Sequence, residues 1–382
     1  MIRQRLPQQL CGAALDFIRS LAAFFVVLNH VTENIYTFTP EFVITMSEKA
    51  KWFAFSSYTL GRIGVPLFLL LTGYLVLNKT FTSDTIVQFY KHSLLPLFFV
   101  WEIWILIYCI FIAWFYHIPF DFVDYLCKAL FLKHVGIAHA WYVPMILGMY
   151  LFLPFVSMAL NQMHGKHLLF LLIIMYSFLF VIPSISVFQS ALNIASSQVI
   201  YNILDLSFGG NGYGFYLILG YCLARWRNRV LPLWEKKWFH ISLWISIIAL
   251  FISTVYMQIV TFKIGVLISY GYVIWYNFFT VPLLSIVLFI ALSGIHYPQW
   301  LHKSLINLSS CSFGVYLLHE LLLIPILNQL GDISDKSTFV LIWTFIIYFA
   351  CVLMIQFISL FPFGDKLFLR KVKCVKEAEP FR

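Results

Sequence analysis

Long apolar stretches recur through this sequence from end to end, and no other feature limits its fold so tightly. A helix needs roughly 20 mostly apolar residues to cross about 30 Å of hydrocarbon. Ten stretches approach or exceed that length: 14–35, 61–78, 93–116, 141–160, 168–188, 212–226, 239–258, 275–294, 312–330 and 338–361. They are continuously apolar rather than alternating, which excludes a β-barrel. Composition agrees, since 62% of the 382 residues are hydrophobic and only 11% charged, whereas a soluble domain runs nearer 45–50% and about 25%. A soluble enzyme is excluded, and so is a disordered chain. The expectation is an all-α polytopic membrane protein of about ten transmembrane helices. Residues 1–365 would form one transmembrane domain and 366–382 a basic tail.

The charges orient it. Of 25 basic residues, seventeen fall on the side of the N-terminus when the segments alternate, and six on the other, while Arg19 and Arg62 lie in or at the edge of spans. That asymmetry follows the positive-inside rule and places both termini in the cytoplasm. The net charge of +9 is scattered along the chain rather than clustered on one module, so no nucleic-acid partner is expected. The first stretch follows Arg3 and Arg5 as a signal peptide would, but is too long for such an apolar core and reads as an uncleaved helix. Seven cysteines give neither a disulfide framework nor a metal-ligand spacing.

Ionisable groups within a membrane are costly, so each is a functional candidate. In the first stretch Arg19 and His30 are eleven residues apart, which puts them within about 20° on the helical wheel and about 16 Å apart along the axis. Asp16 and Glu33 flank them at three residues' distance, so all four share one stripe. Asp16–Arg19 could be a simple interfacial ion pair. Glu33 could orient and basify the His30 imidazole for proton abstraction, or the two could be a satisfied structural pair. Glu102 in the third stretch and His319-Glu320 in the ninth are further candidates. Arg62 and His139 lie at the expected outer ends of spans, His139 beside Trp141 and Tyr142, which read as interfacial aromatics. The run Gly209-Gly210-Asn211-Gly212-Tyr213-Gly214 follows no strand, so close helix packing is the better reading than a phosphate loop.

Four segments together resemble the membrane acyltransferase-3 family. They are Leu15-Asp16-Phe17-Ile18-Arg19-Ser20 followed by His30; Gly64-Val65-Pro66-Leu67-Phe68 with Leu71-Thr72-Gly73-Tyr74; His139-Ala140-Trp141-Tyr142-Val143-Pro144; and Phe313-Gly314-Val315-Tyr316 running to His319. The nearest flavour is the branch holding the O-acetyltransferase of enterobacterial common antigen. The resemblance implies an O-acyltransferase, usually an O-acetyltransferase, in a bacterial cytoplasmic (inner) membrane. Its donor would be a cytosolic acyl-CoA such as acetyl-CoA, and its acceptor an envelope polysaccharide or lipid-linked glycan. It assigns the essential first-helix histidine to His30 and the first-helix arginine to Arg19, and implies no metal; Glu33 joins them as the catalytic group expected to orient His30. The family's paired arginines for the CoA phosphates are replaced here by Lys91 and His92, which would hold the donor together with Arg19. Arg62, His139, Trp141, Glu102 and His319 are expected to line the acceptor side. The alternative is a transporter or exporter of a glycan or lipid-linked sugar.

Overall fold

The computed structural model describes residues 6–191, 204–210, 212–268, 271, 273–329 and 336–370. Arg3, Arg5, Asn211 and the tail beyond Arg370 lie outside the described residues. Among the described residues the protein is helical throughout and contains no strand. Helix α1 is Leu6–Tyr36, α2 Glu48–Arg62, α3 Gly64–Val76, α4 Leu95–Phe115, α5 Phe122–Ala129 and α6 Tyr142–Gln162. The chain continues through α7 Gly165–Tyr176, α8 Tyr213–Arg225, α9 Lys237–Lys263, α10 Thr280–Ser293, α11 Gln299–Gln329 and α12 Lys336–Ile358.

Among the described residues, eight helical segments are long and apolar enough to cross a membrane. The expected spans at 212–226 and 275–294 are also helical, but α8 and α10 are only 13 and 14 residues long, short of a bilayer by themselves. Tyr213 through Cys222 of α8 are all buried, as befits a helix that is apolar all round and enclosed by others. Its N-terminal Tyr213 stacks on Trp141, and Tyr221 and Arg225 bond the Leu160 carbonyl. The short helix therefore touches both ends of α6.

Two boundaries and one packing expectation differ from the sequence reading. The second span starts at Glu48 rather than 61: Ser47 caps α2 by accepting from the Ala50 amide, and Lys51 folds inward between Glu48 and the Phe262 ring. Helix α11 starts at Gln299 rather than 312, because its polar first turns pack against α1 and Arg370 instead of lipid. Gly209, Gly210 and Gly212 have positive φ and make the turn into α8, with Gly209 close against Met149 of α6 and Gly212 close against Phe180. Gly214 is the close-approach position against backbone, with the Phe208 carbonyl 2.3 Å from where a Cβ would sit.

Two contacts position the interior. Helices α1 and α11 run parallel in a near-constant register: Arg19 bonds Ser309 at 2.9 Å, and His30 meets Glu320 at 3.2 Å. Helix α2 lies against α1 at Gly61, where a Cβ would come within 2.6 Å of Asn29 Cα. Small residues let membrane helices approach this closely. Just before α10 the chain is irregular yet buried at Val273, Ile274, Tyr276 and Phe278. Gln258 Oε1 accepts from the Ile274 amide, and the Tyr216 hydroxyl donates to the Tyr276 carbonyl. Irregular backbone at such depth is tolerated because protein groups satisfy it.

Candidate active site

Three helix-borne histidines and two carboxyls meet between α1, α11 and the start of α6. His30 Nδ1 lies 3.4 Å from Glu33 Oε2 and 3.2 Å from Glu320 Oε1. The His319 ring is 5.2 Å from the His30 ring, and the His139 ring is 4.6 Å from that of His319. His139 and His319 are sealed at 1% and 0% exposure, whereas His30 keeps 11% of its side chain accessible. Of the three imidazoles, His30 is the least enclosed.

Partners assign the protons of the two sealed rings. His319 Nδ1 is 3.1 Å from the Val315 carbonyl, which can only accept, so Nδ1 carries the hydrogen and Nε2 the lone pair. Tyr108 gives its hydroxyl proton to the Leu317 carbonyl at 2.8 Å and so accepts from His139 Nε2 at 3.1 Å. His139 Nδ1 then carries the lone pair. Both lone-pair nitrogens are buried and have no hydrogen-bond partner.

Glu33 is held from the other side. Arg62 donates to its Oε1 at 2.6 Å, and Asn29 Nδ2 donates to its Oε2 at 2.7 Å. The Arg62 guanidinium also donates to the Tyr58 and Tyr276 hydroxyls and stacks over Trp275 at 4.3 Å. A buried ion pair is sustained only when its remaining donors and acceptors are satisfied like this. Arg62 is 3% exposed, so it does not line an outer mouth: its donors are spent inside the protein.

The other expected site residues are placed as follows. Arg19 shares Ser309 with Asp16 at the opposite end of α1 and does not touch the histidines. Lys91 and His92 are exposed on a single π-helical turn, Tyr90–Leu94, leading into α4. Phe89, just before that turn, meets Tyr150 at 5.7 Å, and Tyr150 lies within electrostatic range of Arg19. Trp141 is half-buried and packs between Tyr213, Trp275 and Tyr276. Glu102 does not join the cluster. It borders the exposed stripe Phe99, Ile103 and Leu106 of α4, and its Oε1 has no hydrogen-bond partner. Glu320 carried the same signal in the sequence as Glu33, an ionisable group within a span. Tyr58, Asn29, Tyr108 and Tyr276 carried none.

An acyltransferase-domain family model matches residues 13–360, nearly the whole chain. The chain belongs to the acyltransferase-3 family. No curated protein and no solved structure matches it. This family member is thus a multi-pass membrane acyltransferase, and the cluster around His30 is its candidate active site.

Proposed function

We propose that this protein transfers an acyl group, acetyl in the first instance, from cytosolic acyl-CoA to a hydroxyl of a cell-envelope polysaccharide or lipid-linked glycan in the bacterial inner membrane. The observation that carries the reading is the partly accessible His30, whose Nδ1 faces the carboxyls of Glu33 and Glu320. With its hydrogen on Nδ1, on the side of the two carboxyls, His30 keeps the Nε2 lone pair as the base. His30 Nε2 then removes the proton from the acceptor hydroxyl as its oxygen attacks the thioester carbonyl. The C–S bond breaks, and the thiolate leaves with the proton returned by the imidazolium. Arg62 acts at one remove, by fixing Glu33. Arg19, about 16 Å away along the same helix, sits where an extended donor arm would pass, and Lys91 and His92 supply charge for its phosphates.

The test is mass spectrometry of the surface glycan from a deletion strain complemented with wild type or His30→Ala, with membrane expression of both verified. Ester-linked acyl groups should return only with wild type. Their full return with His30→Ala would sink the mechanism. Loss of the polymer itself from the surface would point to an exporter.

A further inference from the structure

The histidine cluster has acceptors to spare. His30, His319 and Glu320 each bring a ligand atom within 4.8 Å of the other two, and the atoms they leave unpaired are His319 Nε2, His30 Nδ1 and Glu320 Oε1. Each is buried, and none has a hydrogen-bond partner. The 3.2 Å approach of His30 Nδ1 to Glu320 Oε1 is off hydrogen-bond geometry. It matches the edge of a tetrahedron whose bonds are about 2.0–2.1 Å, the length of zinc bonds to histidine and carboxylate. Charge points the same way. Glu33 is neutralised by Arg62, whereas Glu320 forms no ion pair with a Lys or Arg among the described residues. An uncompensated carboxylate in a protein interior is costly.

We propose that His30 Nδ1, His319 Nε2 and Glu320 Oε1 bind one divalent transition-metal ion of the zinc type, and that the bound metal switches off acyl transfer. Two imidazoles and one carboxylate suit such an ion. The His319 tautomer set by Val315 already presents Nε2 as a ligand. The inhibitory half rests on the function proposed above and follows from ring chemistry. As a base, His30 needs its hydrogen on Nδ1 and its lone pair on Nε2; as a ligand through Nδ1 it needs the reverse. A neutral imidazole cannot do both, so metal and catalysis exclude each other. The bond formed is Nδ1–metal, and the displaced Nδ1 hydrogen moves to Nε2.

The experiment uses the full-length protein in detergent, stripped with a chelator and titrated with Co2+ and then Zn2+. Wild type should take up one ion per chain, with a Co2+ visible spectrum of a low-coordinate nitrogen–oxygen site that Zn2+ abolishes. Altering groups that merely orient metal ligands costs 10–100-fold in affinity, so His319→Ala and Glu320→Gln should each cost more than about 100-fold. His164→Ala, on a histidine with no place in the cluster, should bind as wild type. Absence of stoichiometric Co2+ or Zn2+ binding by wild type overturns the proposal whatever the variants do, as does binding indifferent to His319→Ala. Stripped protein should acylate and zinc-loaded protein should not. Loss of transfer on stripping overturns the inhibitory role. Zinc binding by a protein that never acylates a glycan keeps the metal site and removes the enzymatic reading.

Discussion

Arg62 and Glu33 form the pair on which the rest of the site leans. Breaking a fully buried ion pair by removing one partner costs about 3–5 kcal/mol; Glu33 is a quarter exposed, so the cost here is smaller, and it is larger when Arg62 is the charge left behind. Arg62→Met and Glu33→Gln should therefore each lower the melting temperature in detergent. The double variant, with no charge left unpaired, should regain part of that loss but none of the glycan acylation. Strict additivity of the two single losses would show that the pair is not coupled. Arg62→Lys keeps a charge but cannot reproduce the forked contacts to Glu33, Tyr58 and Tyr276 or the stacking on Trp275, so it should acylate far less than wild type while remaining in the membrane. The ionic half of this network was legible in the sequence, because charged groups stand out in a chain with only 11% of them. The aromatic half was not: with 19% aromatic residues, Tyr58, Trp275 and Tyr276 look like any lipid-facing or core ring.

At the scale of elements, the spacing between helices is set by glycines next to the site. A methyl at Gly61 would press on Asn29, the neighbour of His30, whereas a methyl at Gly148 would meet no atom within 4 Å. Overpacking of this sort costs typically about 1–3 kcal/mol. Gly61→Ala should lower both the melting temperature and the transfer rate by moving Arg62 away from Glu33, and Gly148→Ala should leave both near wild type. Equal behaviour of the two in thermal-shift and acylation assays would remove α2–α1 contact as a determinant of the site. The π turn Tyr90–Leu94 carries a second prediction. Such turns hold one residue more than the α-helix they interrupt and cluster at functional sites. Deleting Ser93 should restore α-helix there, shift the Lys91-His92 surface, and raise KM for acyl-CoA more than it lowers kcat. An unchanged KM would separate this turn from donor binding. The start of α2 escaped the sequence reading because Glu48, Lys49 and Lys51 resemble a loop. Their helix became visible only with the Ser47 cap and the burial of Lys51.

Across the whole molecule, the site depends on a register that no local pattern encodes. His30 meets Glu320, and Arg19 meets Ser309, at the same separation of 290 residues, so a metal-like ligand set arises from helices far apart in the chain and leaves no short spacing to read. Hydropathy did locate the helices, but it could not say how far each one reaches. The two short helices make this concrete. If α8 and α10 complete their crossings with the irregular chain before them, the alternation of the ten-helix reading survives and Ser207 and Lys236 lie on opposite sides. The contacts of α8 favour that arrangement, since it meets Trp141 at one end of α6 and Leu160 at the other, a separation of about 29 Å along that helix. Single cysteines at 207 and at 236, in a background with the native cysteines replaced, should be labelled by a membrane-impermeant maleimide from outside in the first case only. Labelling of both from the same face would mean that α8 does not cross, remove one span from the ten, and reverse the assignment of the charged loop between α8 and α9.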